Sequence, residues 1–422
     1  MEFLEVTETE FKEFAINYKD NNLWQTPYMA KMREKRGYHT YYLGVKDNDN
    51  IIAGCMASGR KVFFNQEYFQ ILRGPLIDYK NKELFEFFHK NLVKFFKKHN
   101  CMYFHTDPYV MYRQRDLDGN LVEDGIDNSD VVESFKRLGY SHEGFTRGIN
   151  LKREPRWIYT IPVEGKTPDE VLKNMERKAV RSIKRVKNYK IQINELSEDE
   201  LNIYDKVIHE TEVRRGFEGR SEEYTKNIYE CFVKEGAAKF LSATLKMEDY
   251  KEDLIKDLQK NQKIVDDSSK RLEKQESPKI RKKMELAQEQ VEIFKDKIRE
   301  AEQIIKEDGP EIMLASGMFF TYGREVLCLM SGVYEKYMHF LAPYAMHWTM
   351  INYCIEHGME RYNLYGISGI FDKTADDYGV YLFKKGFNGE VVELIGDFEY
   401  IVNPRQYNLY NFLRSIKHKV SK

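Results

Sequence analysis

Between Lys246 and Asp308 the chain carries no glycine and a single proline, Pro278. In its second part Ile280, Met284, Ala287, Val291, Phe294, Ile298, Ala301 and Ile305 follow one another at alternating steps of four and three, the seam of a heptad coiled coil. In its first part Leu254, Leu258, Val265 and Leu272 keep that register, with Asn261 and Ser268 at two seam positions. A break at Gln275-Glu276-Ser277-Pro278 predicts that the two helices fold back as an antiparallel hairpin. The flanking segments, Lys239 to Leu245 and Ile312 to Phe320, read as buried strands. The helical hairpin therefore stands where a β-turn would stand, an arm set into a domain that closes behind it. Both a solvated spacer and a holder of a partner fit such an arm.

A chain of 422 residues is too long for one core, and two cores plus the arm are expected. The net charge of −1 provides no global field to attract nucleic acid, so phosphate recognition must rest on local basic clusters. The cysteines Cys55, Cys101, Cys231, Cys328 and Cys354 are scattered and odd in number, which predicts reduced, buried thiols in a cytosolic protein. The acidic start Met1-Glu-Phe-Leu-Glu5 lacks the basic and apolar regions of a signal peptide. No apolar run reaches the length of a membrane span, so a protein neither exported nor integral is expected.

The two halves repeat a pattern. In each, antiparallel strands lead to one long helix and a further strand, over Glu67 to Thr106 and over Val326 to Tyr365. A duplicated α/β unit follows, with helices on the faces of a mixed sheet. Thr167, Pro168 and Glu170 mark a capping box, and the helix they open is expected to run into a basic face at Arg177, Lys178, Arg181, Lys184, Arg185 and Lys187. A helix near Tyr407 to Lys417 is expected to pack back on the first half.

Several motifs then stand in a telling order: Arg73-Gly-Pro-Leu-Ile-Asp-Tyr79, Asp107-Pro108-Tyr109, His209 to Phe217, Gly309-Pro310 at the foot of the arm, Ala342 to Tyr353, Tyr362 to Gly369, Tyr378 to Phe387, and Glu393 to Asp397. Through them the chain resembles, end to end, the Fem family of peptidoglycan-bridge aminoacyltransferases. The resemblance implies an α/β fold of two tandem subdomains like those of GCN5-related (GNAT) acyltransferases. Their expected bounds are 1–150 for the first, and 151–245 with 309–395 for the second. The arm takes 246–308, and the tail 396–422 returns to the first subdomain.

The implied reaction moves glycine, alanine or serine from aminoacyl-tRNA to an amine of the peptidoglycan precursor lipid II, in its stem peptide or growing cross-bridge. The ester already carries the activation, so no cofactor and no metal are implied. The chemistry needs a neutral amine placed at the carbonyl and a positive or hydrogen-bonding group where the oxyanion forms. Lys384, in the Phe383-Lys384 pair, matches the family position for that role, whereas composition alone would put this lysine on the surface of a strand. Asp107 is a candidate base for the incoming amine, or simply part of a strand-ending turn. Arg214 matches a position that grips the precursor, and Arg33, Arg73 and Tyr344 complete the expected substrate contacts. One departure is that Leu329 and Met330 precede Ser331-Gly332 where relatives carry an aromatic residue.

The basic face Arg177, Lys178, Arg181, Lys184 and Arg185 is the expected tRNA contact, set against an ordinary solvated face. Work at the inner face of the cell membrane, without a span, and pairing with itself or a sister enzyme complete the implied partners. Two rivals remain. An acyl-CoA N-acetyltransferase of the same fold would need a glycine-rich pyrophosphate turn, and Ser331-Gly-Val-Tyr-Glu-Lys-Tyr337 lacks it. A non-catalytic protein that docks through its arm is the other.

Overall fold

The computed structural model describes residues 1–216 and 219–420, with the side chains of 417–420 undescribed. Phe217, which closes the His209 motif, and the last two residues lie outside the described residues.

Among the described residues fifteen strands, numbered along the chain, form two sheets. The first has the order β1-β2-β3-β4-β5-β15-β7. It joins β1 (Glu2–Glu5), β2 (His39–Asp47), β3 (Asn50–Phe63), β4 (Gln66–Ile71), β5 (Cys101–Thr106), β15 (Phe398–Ile401) and β7 (Ser141–His142). Helices α1 (Glu8–Asn17), α2 (Pro27–Lys35), α3 (Lys82–Lys98) and α4 (Ser129–Arg137) accompany it. Asn81 caps α3 by accepting from the Leu84 N–H at 3.1 Å, and the helix buries Leu84, Phe88, Leu92 and Phe96. Phe96 stacks on Phe69 of β4 with ring centres 4.5 Å apart, and a fully buried ring of this kind contributes about 1.5–3 kcal/mol.

The second sheet has the order β6-β14-β8-β13-β12-β11-β10-β9. Its strands are β6 (Met111–Gln114), β14 (Glu390–Leu394), β8 (Trp157–Pro162), β13 (Arg361–Ile367), β12 (Glu325–Val333), β11 (Glu311–Tyr322), β10 (Ala238–Lys246) and β9 (Gln192–Glu195). With it go α5 (Pro168–Asn174), α6 (Arg177–Tyr189), α7 (Leu201–Arg215), α8 (Glu222–Ile228), α11 (Ala342–Glu356) and α12 (Tyr378–Lys385), and α13 (Pro404–Val420) follows. Both sheets mix antiparallel pairs with one parallel pair, β4–β5 in the first and β12–β13 in the second. The halves share a buried cluster in which Phe11, Trp24 and Met29 meet Tyr204, Phe232 and Phe320.

The arm is α9 (Met247–Lys274) and α10 (Pro278–Asp308). It grows from the β10–β11 hairpin, whose ladder runs to Lys246 opposite Glu311, so the helices do replace the turn. Leu254, Ser268, Ala287 and Val291 are buried along its seam, and at its root Ala301 and Ile304 join the core of the second half. At its root Tyr250 packs edge-on against Tyr189 and Phe340, each with ring centres 5.5 Å away, and Lys336 bonds Asp308 at 2.5 Å.

The chain departs from the sequence reading in two places. The segment after Thr167 is two helices, because Met175 is extended and buried while the Glu176 N–H donates to Gly386 O at 3.0 Å. The first half also lends β6 to the second sheet, where it pairs with β14.

Candidate active site

The parallel strands β12 and β13 are partners only from Glu325 opposite Arg361 to Leu327 opposite Asn363, although both continue beyond. Where that pairing ends, β13 bulges against β8 between Asn363 and Gly366, and Tyr365 within the bulge has a left-handed backbone, φ 63. Such a backbone in a bulky residue persists only where its surroundings hold it. Here the Tyr365 hydroxyl donates to Glu154 at 2.5 Å and its ring stacks on Trp24. The Lys384 ammonium, in the last turn of α12, donates to the Gly366 carbonyl at 2.6 Å.

Lys384 is buried, and burial pushes its pKa down to about 8, with Cys328 and Asp377 acting the other way. Burial, with the Lys384 charge second, drives His347 down to about 3. The imidazole is therefore neutral and bonds the Tyr362 hydroxyl at 2.5 Å. Burial raises the Cys328 thiol to about 11, so it stays protonated. Phe383 is half-buried, with its ring centre 5.0 Å from Tyr344 and 5.4 Å from His347. The site thus offers one cation at the parting of two strands, held by a neutral carbonyl and aromatic walls. That is an arrangement suited to stabilising a developing oxyanion.

The first half braces this helix. Tyr381 bonds Leu117 O, Lys385 bonds Asp118 at 2.5 Å, and Phe371 packs so closely on Gly119 that a Cβ there would collide with it. On its other side α12 meets the start of α6 through the Glu176–Gly386 bond, so the basic helix begins beside the segment that carries Lys384. Arg177, Lys178, Arg181, Lys184 and Arg185 are all exposed, while Ala179, Ser182, Ile183 and Val186 form the buried face of the helix.

A family model described as the FemAB family matches residues 6–415. The chain belongs to the FemAB family. Aminoacyltransferase FemA of Staphylococcus epidermidis is 33% identical over 420 residues, covering 99% of this chain and 100% of that one. Aminoacyltransferase FemA of Staphylococcus aureus (strain MRSA252) is 33% identical over 422 residues, covering 100% of both. The solved structure of FemX superposes with a TM-score of 0.79 at 23% identity, over 97% of this chain and 99% of that one, and so shares its fold. This FemAB-family chain is accordingly an acyltransferase enzyme.

The other residues singled out in the sequence of this FemAB-family chain lie elsewhere. Asp107 and Arg73 are each other's partners. Asp107 accepts from the Arg73 backbone N–H at 2.9 Å and lies 3.5 Å from its guanidinium, which also donates to Pro155 O at 2.7 Å. Burial pushes Asp107 up to about 6 against the pull of Arg73. Both side chains are 2–3% exposed, so Arg73, expected at the substrate, is turned inward, and Asp107 is a buried counter-ion. The neighbouring Tyr109 crosses to the second sheet, where its hydroxyl donates to Glu325 at 3.2 Å and accepts from Asn363 at 3.1 Å.

Arg33 is buried between Ser58, 3.1 Å away, and Gln70, with its guanidinium 3.6 Å from the Tyr38 ring centre. Burial lowers its pKa, and the nearby charges of Arg36 and Arg60 add to that. Arg214 is half-buried in the last turn of α7 and donates to Val333 O, at the far end of β12, at 3.4 Å. Leu329 and Met330 lie half-buried against the cluster shared by the halves. Sequence reasoning gave no site role to Gly366, His347, Tyr362, Cys328 or Asp377, although Cys328 is buried and free as expected. For Gly366 a signal existed, since Tyr365-Gly-Ile-Ser-Gly369 interrupts a strand with small residues.

Proposed function

We propose that this enzyme moves glycine, alanine or serine from the 3′ ester of an aminoacyl-tRNA to the stem-peptide or cross-bridge amine of lipid II, and so builds the interpeptide bridge. The observation that carries the reading is the buried Lys384 ammonium at the parting of β12 and β13, with a basic helix beginning beside it. The amine nitrogen attacks the ester carbonyl and a C–N bond forms. The C–O bond to the tRNA ribose breaks, and the proton that nitrogen loses ends on the departing 3′-hydroxyl. Lys384 neutralises the oxyanion between these events, and Phe383 and Tyr344 wall the cleft and limit water. The activation already present in the ester leaves placement and charge neutralisation as the protein's task.

The helix face from Arg177 to Arg185 follows the tRNA phosphates. Arg33, crowded by Arg36 and Arg60, gains most from an anion, which supports its contact with the phosphates of the acceptor, and Arg214 serves the same acceptor from the end of β12. Asp107 and Arg73 hold the halves in register instead of touching substrate. Among the described residues no helix is long and apolar enough to cross a membrane, so a lipid-linked acceptor is met at the surface of the membrane. Transfer of labelled amino acid from charged tRNA to lipid II is the test. Lys384→Ala should lower it by about 10²–10³-fold with the fold intact, and undiminished transfer by a folded Lys384→Ala enzyme would remove the proposal.

A further inference from the structure

The helix α13 lies partly against the first sheet. Tyr407 packs edge-on against Tyr103 of β5 with ring centres 5.2 Å apart, and Tyr410 meets Phe63 of β3 at 5.6 Å. Its other side is bare. Leu409, Phe412, Leu413 and Ile416 are 45%, 61%, 42% and 43% exposed. Their steps of three and four make one apolar stripe on a helix that buries none of it. Next to it the β3–β4 turn holds out Phe64, 84% exposed, whose ring is 4.6 Å from the Phe63 ring that touches Tyr410. The turn that touches α13 through Phe63 thus adds an exposed ring to the exposed stripe of the helix, more than a single exposed residue would signify.

The charge around the stripe indicates its occupant. From Pro404 to Lys422 the sequence holds five Lys or Arg and no Asp or Glu, in a chain whose net charge is −1. A protein partner would have to match both an apolar stripe and a helix whose own charges are all positive, whereas an anionic lipid surface supplies both at once. We propose that α13 and the Phe64 turn form a membrane-surface contact, the apolar side chains entering the acyl boundary and the basic residues lying among anionic headgroups. The proposal deepens the reading of a lipid-linked acceptor and rests on it for its purpose. It gives that reading an address, because a soluble enzyme would otherwise have to find its acceptor by collision from bulk solution.

Sedimentation of the full-length protein with vesicles tests it. Binding is expected to vesicles containing phosphatidylglycerol, to be weak with phosphatidylcholine alone, and to fall as salt rises. The double variant Phe412→Ser with Leu413→Ser should lower binding to anionic vesicles at least about tenfold, given roughly 0.8 kcal/mol for each buried CH₂. These residues are exposed, so its melting temperature should stay that of the parent. Its transfer to lipid II in vesicles should fall, while transfer to a soluble acceptor without the lipid tail stays unchanged. Equal vesicle binding by parent and variant overturns the proposal, as does a dimer in sedimentation velocity that the variant abolishes while neither protein binds vesicles. Failure of the soluble-acceptor reaction in the parent would instead strike the aminoacyl-transfer reading and leave the lipid-binding result standing.

Discussion

In the first sheet β4 and β5 stay partnered from Glu67 opposite Cys101 to Ile71 opposite Thr106, whereas in the second β12 and β13 share three positions and then part. The first pair is stapled at the end where the second opens. The Thr106 hydroxyl makes contacts of 3.1 Å to Ile71 O and 2.6 Å to Gly74 O, and just beyond them Arg73 and Asp107 form their buried pair. In the second sheet the corresponding region holds a bulge and, among the described residues, a buried cation in no salt bridge. One α/β plan thus serves twice, once closed around a neutralised pair and once open around a lone ammonium. A closed pair is costly to break, while a lone buried cation costs stability as it stands.

The largest expected effect breaks the closed half. Asp107→Asn leaves the Arg73 guanidinium buried without its counter-ion, and should lower unfolding stability by roughly 3–5 kcal/mol, read by chemical denaturation. If Asp107 were instead a working base, the same substitution would spare stability and abolish transfer. The outcome therefore separates the two meanings of this residue.

The open half should respond in the opposite sense. Lys384→Met removes a buried charge, and the fold should gain about 1–3 kcal/mol while transfer is lost. The sign can be checked against pH. The Lys384 pKa is about 8 in the folded chain against an ordinary 10.5, so between those values the unfolded chain binds more protons, and stability rises with pH. The variant should lose that rise. In kcat/KM the parent should fall above about pH 8 as the ammonium empties, and Lys384→Arg, which keeps its charge, should remove that alkaline limb even if its rate is lower.

Much of this contrast is hidden in the sequence for physical reasons. The arm was readable because a heptad seam is periodic, and so was the capping box at Thr167, whose partners are three residues apart. The Arg73–Asp107 pair joins residues 34 positions apart, and nothing local in either segment announces a buried ion pair. Strand β6 has four residues at most half-buried, too short for alternation to mark it, and β15 enters the first sheet only because the chain returns from the other half. Lys384 is the clearest case: composition places a lysine outside, and only a family resemblance marked it, since the carbonyl it bonds belongs to another strand, at the edge of a bulge.

The smallest effect concerns which half meets nucleic acid. If the open half does the chemistry, the donor's phosphates should be met by α6, which begins beside α12, and not by the lysines of α3 in the closed half. Arg185 is drawn onto Tyr189, Lys187 lies over the Trp348 ring at 5.4 Å and Arg181 bonds Arg177 O at 3.3 Å, which leaves Arg177 and Lys184, about two turns apart on one exposed line, as cations free to meet phosphate. Each neutralised phosphate adds roughly 0.7–0.9 to the slope of log affinity against log salt, so replacing both by alanine should flatten the slope by about 1.5. The paired replacement of Lys94 and Lys97, equally exposed on α3, should leave the slope unchanged. Equal flattening by the two pairs would mean a diffuse electrostatic contact shared by both halves, and would detach tRNA binding from the asymmetry between the sheets.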